Sequence, residues 1–353
     1  MDIETNSNYV TYLEIKSQYL AWQEAISIAQ KHDQSLQSFF SIPFDQVIFT
    51  GCGSTYYLSL AAASIFQQLT GISSIGVPAS ELIFYPTSIY KPGTRNLLIT
   101  VSRSAETTET IEALKEFTKY DKGKSITISN YADKPLSSMG NLNFVIPEGQ
   151  EMSIAQTRAF TSMYVFCVAM ATIVGRKEIL TKSLWELPQA CRNLFESYEA
   201  LAQKIGGDLS IDRFYLLGSG PRYGLACEGN LKIKEMTLTH SEPFHFYEFR
   251  HGPMSMVTPT TLIPAFISKN NWRFEERVII EMKRLGAQVL TFGQGEADVK
   301  IPVSIPEEIV NVLYLPIIQL ISFYRALSKK LNPDQPTNLQ KVIKIERNDL
   351  GAN

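Results

Sequence analysis

The chain alternates short apolar runs with longer segments in which apolar residues recur every three or four positions. The short runs predict buried strands, whereas the periodic segments predict helices with one packed face. In chain order, strands are predicted over residues 46–50, 72–77, 97–101, 125–129, 143–146, 213–217, 262–267 and 288–292. Helices are predicted over residues 9–40, 56–69, 108–117, 157–174 and 274–285. This alternation is typical of an α/β fold in which helices cover both faces of parallel sheets.

The pattern of the first half recurs in the second half. Gly51 and Gly53, which follow the first strand, correspond to Gly218 and Gly220 at an offset of 167 residues. We interpret this as a tandem duplication that gives two α/β units of the flavodoxin-like, doubly wound kind. The predicted organisation is a helical extension over residues 1–40, a first domain over 41–185, a second domain over 200–330, and a tail over 331–353 that closes the site.

Hydroxyl side chains follow one buried strand of the first copy. Ser102, Ser104 and Thr107 precede a helix that is predicted to begin at Thr108. The free N–H groups of a helix start, together with hydroxyls, suit a phosphate, although such residues could also simply cap the helix. The second copy has Ser-Lys-Asn-Asn-Trp at residues 268–272. A phosphate-type turn is therefore predicted in the first copy only.

A second group of candidates lies in the second copy. Glu228, Lys232 and Glu235 are four and three residues apart, which places them on one helix face. Such a row is usually a solvated set of ion pairs, but its apolar neighbours indicate a packed helix. Burial would raise the pKa of a carboxylate and suit it to act as a general base near neutral pH. His251 in a loop and Lys341 in a proline-containing tail are further candidates, and both residue types are also common at positions without a role.

Composition excludes several classes of function. The net charge of −2 over 353 residues lacks the basic excess of nucleic-acid-binding proteins. No apolar run approaches about 18 residues, so no membrane span is expected, and the N-terminus does not resemble a secretory signal. The four cysteines have no metal-site spacing and are expected to be free buried thiols in a reducing cytoplasm; they are Cys52, Cys167, Cys191 and Cys227.

Six motifs, in order, resemble the family of proteins with two sugar-isomerase (SIS) domains. The resemblance is strongest to the isomerase half of glucosamine-6-phosphate synthase and to its stand-alone deaminase relatives, and it covers about residues 45–346. The motifs are Gly51-Cys52-Gly53-Ser54-Thr55-Tyr56, Ala79-Ser80-Glu81, Ser102-x-Ser104-x-Glu106-Thr107, Glu228-Gly229-x-Leu231-Lys232-x-Lys234-Glu235, His251-Gly252-Pro253 and Asp334-Gln335-Pro336-x-Asn338-Leu339-x-Lys341. The resemblance implies two tandem SIS domains.

The resemblance also implies where a hexose 6-phosphate would bind. Its phosphate would be held by Thr55, Ser102, Ser104 and Thr107, with the backbone of Arg103 helping. The sugar site is expected to contain Cys52, Gly53, Ser54, Ile154, Ala155 and Lys232. Arg103 and Gln156 stand where the synthase has Gln and Ser, and Arg103 is expected to add charge near the phosphate.

Three residues carry the chemistry that the resemblance implies. Glu235 would move a proton between C1 and C2 of the sugar. His251 would assist ring opening across the interface of a homodimer. Lys341 would lie near the open-chain carbonyl and could form a Schiff base. No metal ion and no organic cofactor is required for these steps.

The expected function is that of a cytoplasmic phosphosugar deaminase. The sequence lacks a glutamine-hydrolysing domain with an N-terminal cysteine nucleophile, so we expect release of ammonia from glucosamine 6-phosphate with formation of fructose 6-phosphate. One alternative is a deglycase for fructosamine-type 6-phosphates, and another is a ketose/aldose isomerase for tagatose or galactosamine phosphates. A non-catalytic sugar-phosphate sensor is disfavoured because Glu235, His251 and Lys341 are all present without an effector domain.

Overall fold

The computed structural model describes residues 6–91, 93–120 and 123–340. Two five-stranded sheets form its centre, and neighbouring strands in both are parallel. The first sheet contains β1 (Gln46–Gly51), β2 (Ser74–Pro78), β3 (Asn96–Ser102), β4 (Lys124–Ser129) and β5 (Leu142–Val145). The second contains β6 (Arg213–Gly218), β7 (His240–Phe244), β8 (Thr261–Phe266), β9 (Gln288–Gly293) and β10 (Val299–Lys300). The orders β2-β1-β3-β4-β5 and β7-β6-β8-β9-β10 are equivalent, which confirms the duplicated, flavodoxin-like α/β fold.

Helices cover both sheets and connect the two copies. They are α1 (Val10–Lys31), α2 (Asp33–Phe39), α3 (Ser54–Thr70), α4 (Ala79–Phe84), α5 (Pro86–Ile89), α6 (Thr108–Tyr120), α7 (Arg158–Val174), α8 (Glu178–Ser183), α9 (Leu187–Gly207), α10 (Pro221–Thr237), α11 (Phe246–Phe249), α12 (Trp272–Arg284) and α13 (Leu315–Ser328). The prediction of one helix over residues 9–40 was wrong, since α1 and α2 are separate. His32 leaves the helical conformation (φ −102°, ψ 16°), and its Nδ1 lies 3.0 Å from the carbonyl oxygen of Ile28.

Two strands of the second sheet were not predicted. Strand β7 has the sequence His-Ser-Glu-Pro-Phe, which lacks a continuous apolar run. It lies at one edge of its sheet, where a proline is tolerated because one side of the strand needs no ladder hydrogen bond. Strand β10 has only two residues and lies at the opposite edge. The sequence signal is weak in both strands, because β7 contains polar residues and a proline and β10 has only two residues.

One large hydrophobic core spans both copies. Helices α7 and α13 are almost entirely buried, and apolar side chains from both sheets belong to the same core. In the described part of the chain, one helical stretch, Val310–Ser328, is long and apolar enough to cross a membrane. Its apolar window is completely buried inside the protein, so internal packing accounts for its hydropathy.

The two copies meet where α3 packs against α10. These helices begin after equivalent glycines, Gly53 (φ 55°) and Gly220 (φ 59°), which adopt the left-handed backbone conformation that glycine allows. A third glycine, Gly224, faces the other copy. A Cβ atom there would lie 2.5 Å from the carbonyl oxygen of Tyr57 and 2.6 Å from the amide nitrogen of Ala61. The absence of a side chain therefore lets the two helices approach closely.

We predict that Gly224→Ala destabilises the protein by about 1–3 kcal/mol, because the added methyl group overpacks the contact between α3 and α10. Gly207→Ala in α9 is the matched control, because its Cβ would meet only Ser328 Oγ at 3.8 Å. The control should be neutral or slightly stabilising. Urea unfolding measures both variants, and equal stability of the two would contradict this account of the helix contact.

Candidate active site

The ends of β1 and β3 lie together at one edge of the first sheet, because these strands are parallel neighbours. The turn at the end of β1, which contains Gly51 and Gly53, is called the glycine turn. Thr55 Oγ1 closes this turn, because it accepts a hydrogen bond from the backbone N–H of Cys52 at 2.9 Å and donates one to the carbonyl oxygen of Cys52 at 2.9 Å. Cys52 Sγ lies 3.6 Å from Thr110 Oγ1 in α6. Burial raises the pKa of the Cys52 thiol to about 11, so it stays protonated near neutral pH.

The hydroxyl-rich turn after β3 is held in a defined conformation. Ser102 Oγ accepts a hydrogen bond from the N–H of Ala105 at 3.2 Å and lies 3.2 Å from Thr107 Oγ1. Ser104 Oγ accepts one from the N–H of Glu106 at 3.2 Å. Ala105 adopts a left-handed conformation (φ 54°) that turns the chain into α6. The structure therefore places the hydroxyls of Ser102 and Thr107 next to each other before α6, with Ser104 in the same turn, and their binding of a phosphate stays a prediction.

The corresponding turn of the second copy holds an anion from the protein itself. The carboxylate of Glu307 accepts hydrogen bonds from Ser268 Oγ at 2.7 Å and from the N–H groups of Lys269 at 2.9 Å and Asn270 at 3.2 Å. These three residues correspond to residues 102–104 at an offset of 166. Glu307 thus displays how a turn of this kind coordinates an anion.

The side chain of Arg103 connects the turn to the segment that contains Ile154 and Ala155. Its Nη1 donates hydrogen bonds to the carbonyl oxygens of Ile154 at 2.9 Å and Ser153 at 3.3 Å, and it lies 3.5 Å from a carboxylate oxygen of Glu151. The guanidinium is buried. This charge positions Ile154 beside the hydroxyl-rich turn, and its contribution to phosphate binding stays a prediction.

The C-terminal segment over residues 332–340 contacts the segment that contains Ile154. The carbonyl oxygen of Asp334 accepts a hydrogen bond from the N–H of Ile154 at 3.3 Å. Its carboxylate accepts from the N–H groups of Val10 at 3.1 Å and Thr11 at 2.8 Å, which fixes the segment to the start of α1. The segment over residues 332–340 is non-helical, as predicted. Lys341 lies outside the described residues, so its predicted role is not tested.

Helix α10 carries the charged group that links the two copies. Lys232 Nζ lies 3.2 Å from Glu228 Oε1 and donates hydrogen bonds to Glu235 Oε2 at 2.6 Å and to Ser54 Oγ at 3.3 Å. Ser54 Oγ donates to Glu228 Oε1 at 3.3 Å. The predicted single face and packed helix are confirmed, because the side chains of Glu228 and Lys232 are fully buried. Glu235 retains a side-chain exposure of 20%.

Burial and neighbouring charges set the protonation of this group. Burial raises the pKa of Glu228 to about 8, although the charge of Lys232 opposes the shift. Glu228 Oε2 has no hydrogen-bond partner among the described residues, which also favours the neutral acid. Burial by itself would lower the pKa of Lys232, but the charges of Glu228 and Glu235 outweigh it and raise that pKa. Lys232 is therefore a buried ammonium beside the partly exposed carboxylate of Glu235.

The site contains a residue that the sequence did not indicate, Glu14, whereas Glu228 was already a candidate because of its helical spacing from Lys232. Glu14 of α1 accepts hydrogen bonds from the N–H groups of Met152 at 2.5 Å and Ser153 at 3.3 Å, and so supports the segment before Ile154. No local sequence motif indicates this role of Glu14, because its hydrogen-bond partners lie far away in the chain.

His251 is not joined to this cluster. It is exposed in the loop after α11, and its backbone N–H donates to the carbonyl oxygen of Glu248 at 3.0 Å. Over the described residues, no hydrogen bond or ion pair connects its ring to Glu235. Its role across a homodimer interface stays a prediction.

Hydroxyls, amides and one buried ion-paired group make up the site. Across residues 6–91, 93–120 and 123–340, no group of three or more His, Cys, Asp and Glu side chains is arranged to hold a metal ion. The four cysteines are free, and Cys52 alone among them is not fully buried. The donors that the site presents suit a phosphate and the hydroxyls of a sugar.

We predict that Glu228 makes stability fall as pH rises. Because its pKa is raised to about 8 in the folded protein, its contribution is fully present below about pH 4.5 and is lost as pH passes through 8. Glu228→Gln should flatten this dependence, since the amide resembles the neutral acid and does not titrate. Urea unfolding between pH 5 and pH 9 compares the two proteins, and an unchanged pH slope in the variant would contradict the assignment.

Comparison with known proteins identifies the family. The SIS domain profile matches residues 43–173 and 210–300. The glutamine–fructose-6-phosphate aminotransferase (isomerizing) of Sulfurisphaera tokodaii is 28% identical over 305 residues, which cover 86% of this chain and 50% of that protein. The corresponding protein of Haemophilus influenzae is 29% identical over 327 residues, with coverages of 86% and 52%. The chain thus spans about half the length of the curated relatives it matches.

Solved structures agree with this result. Tagatose-6-phosphate ketose/aldose isomerase from Escherichia coli superposes with a TM-score of 0.86 at 21% identity, covering 94% of this chain and 96% of that one, which shows a shared fold. Glucosamine-6-phosphate deaminase from Thermotoga maritima has a TM-score of 0.73 at 27% identity, with coverages of 91% and 100%. The chain belongs to the SIS domain family.

Proposed function

We propose that the protein converts glucosamine 6-phosphate into fructose 6-phosphate and ammonia. The observation that carries the proposal is the contact of Lys232 with both Ser54 and Glu235. It sets a partly exposed carboxylate of the second copy beside the glycine turn of the first copy. Similarity to the glucosamine-6-phosphate deaminase of Thermotoga maritima supports the choice of reaction.

The phosphate would bind at the start of α6. The hydroxyls of Ser102 and Thr107 lie 3.2 Å apart there, Ser104 belongs to the same turn, and Thr55 lies in the turn after β1. The contacts of Glu307 in the second copy support this position, because a carboxylate is held there by the equivalent serine and N–H groups. Anchoring the phosphate would orient the other end of the sugar toward α10.

The reaction begins from the open-chain sugar. Glu235 removes the proton from C2, and the electron pair forms the C1–C2 double bond of an enol while the C1 carbonyl oxygen takes up a proton. Return of a proton to C1 leaves an imine at C2. Water then adds to C2, and cleavage of the C–N bond releases ammonia and leaves the ketone of fructose 6-phosphate. One positioned base thus serves both transfers.

Glu235 is a better base than Glu228 for steric and electrostatic reasons. Glu228 is fully buried and holds its proton near neutral pH. Glu235 is partly exposed, and one of its carboxyl oxygens lies 2.6 Å from Lys232 Nζ. In this proposal His251 assists ring opening across a homodimer interface, and Lys341 acts at the open-chain carbonyl.

We predict that Glu235→Gln lowers ammonia and ketose formation from glucosamine 6-phosphate by about 10²–10⁴-fold, because general acid–base catalysis contributes that much. Binding of fructose 6-phosphate should be retained, since the amide keeps the shape of the side chain. Glu242→Gln, a substitution on the exposed edge strand β7, is the matched control. Full ammonia release by Glu235→Gln would overturn the assignment of the base.

The same assay separates the alternatives. Wild-type protein is incubated with glucosamine 6-phosphate, galactosamine 6-phosphate, tagatose 6-phosphate and fructoselysine 6-phosphate, and ammonia, free amine and ketose phosphate are measured. Ammonia from an amino-hexose phosphate supports the proposal. Interconversion without ammonia would indicate a pure isomerase, amine release from fructoselysine 6-phosphate a deglycase, and binding without turnover a sensor. Each of these three results contradicts the deaminase.

We predict that Ser104→Ala weakens binding of fructose 6-phosphate by about tenfold or more, because a hydrogen bond to a charged phosphate is lost. Ser138→Ala, at an exposed position outside the site, should bind like wild type. Isothermal titration calorimetry measures both affinities. An unchanged dissociation constant for Ser104→Ala would remove this hydroxyl from the phosphate site.

A further inference from the structure

A second cleft of about 620 Å³ lies in the second copy, at the position equivalent to the candidate active site. It opens beyond the carboxyl ends of β6 and β8, where the strand order of the sheet reverses. Ligands of open parallel sheets bind at such points. Its walls are formed by α3, the glycine turn before α10, the loop after β8 and the segment around residues 307–311. Nothing in the proposed reaction uses this cleft.

Arg222 is a buried polar residue of the cleft, and one of its hydrogen-bond donors has no partner among the described residues. The residue lines the cleft and is only 6% exposed. Its Nη1 donates hydrogen bonds to Glu307 at 3.1 Å and to Asn311 Oδ1 at 3.3 Å. Its Nε is buried without a hydrogen-bond partner among the described residues. A buried donor of this kind is costly unless a ligand or water accepts from it.

The charges of the cleft exclude a phosphate. Glu307 already occupies the anion position of the turn after β8 and pairs with Arg222. Two further carboxylates, Glu275 and Glu308, line the cleft. Arg222 is the one cationic side chain among the lining residues in the part of the chain that the structure describes. The net charge is therefore negative, and it disfavours the phosphosugars of the first copy.

The uncharged groups of the cleft suit a sugar ring. Amide side chains of Gln67, Gln68 and Asn270 line it and are exposed, so they can exchange hydrogen bonds with hydroxyls. Tyr247 and Phe274 add aromatic surface, with exposures of 39% and 54%. Amide groups can bind the hydroxyls of a sugar while aromatic surface packs against the apolar face of its ring. We propose that this cleft is a second ligand site, which binds a hexose or amino-hexose without a phosphate.

Glucosamine and glucose serve as probes for this site. Their binding to the full chain is measured by calorimetry, with and without saturating fructose 6-phosphate. Asn270→Trp should fill the cleft and weaken binding at least tenfold, whereas Asn193→Trp, at an exposed position of α9 outside the cleft, should not change it. Binding should also persist in the presence of fructose 6-phosphate, which is expected in the first copy.

Three results would overturn the proposal: no binding of either sugar by wild type, equal binding by Asn270→Trp, or displacement by fructose 6-phosphate. Failure of fructose 6-phosphate to bind at all would count against the proposed function alone, because the effect of Asn270→Trp still decides the second site.

A separate experiment tests whether Glu307 excludes phosphate from the turn after β8. Glu307→Ala should expose the N–H groups of Lys269 and Asn270 together with Arg222, so that millimolar inorganic phosphate raises the Tm of the variant by more than that of wild type, which has only the proposed phosphate site of the first copy. Glu307→Gln keeps the side-chain volume and should show a smaller increment over wild type. If phosphate stabilises neither variant more than wild type, the exclusion of phosphate by Glu307 is wrong and the assigned ligand class falls with it.

Discussion

A buried ammonium group, that of Lys232, joins the two copies. Lys232 of the second copy contacts Glu228, Glu235 and, across the interface, Ser54 of the first copy. Burying such charges costs several kcal/mol per ion unless hydrogen bonds compensate. That compensation requires α3 and α10 to lie in backbone contact, which Gly224 allows. The site therefore exists only when both copies are folded against each other.

Duplication produced two equivalent frameworks that have diverged in chemistry. Both copies have a glycine with positive φ before a helix and a serine after the third strand. In the first copy that serine belongs to a hydroxyl-rich turn at the start of α6. In the second, Glu307 satisfies the turn from within the protein. In the proposed function, the first copy offers this turn to the phosphate of a ligand, while the second copy supplies Glu235 and contains a cleft of different charge.

The elements with continuous apolar runs could be predicted from sequence. Each predicted strand begins and ends within two residues of the observed one, because buried parallel strands need unbroken apolar sequence. The face shared by Glu228, Lys232 and Glu235 could also be predicted, since helical spacing alone determines it. Strand β7 could not be predicted, because its sequence, His-Ser-Glu-Pro-Phe, has no apolar run.

Contacts between distant segments could not be predicted from the sequence. Glu307 and Asp334 each satisfy backbone N–H groups far away in the chain, and no local pattern reveals such pairing. The positive charge of Arg103 was evident from the sequence. The direction of its side chain toward the carbonyl oxygen of Ile154 depends on the folded loop.

Glu235 is proposed to transfer a proton at C1 of a sugar bound by its phosphate at the turn after β3. Proton NMR of fructose 6-phosphate with an ammonium salt in D₂O and catalytic amounts of protein follows this step, because ammonia forms the C2 imine from which Glu235 removes the C1 proton in the reverse reaction. Wild type should lose one C1 hydrogen signal, and Glu235→Gln should retain that signal. Retention with wild type, or equal exchange in both proteins, would contradict this proposal.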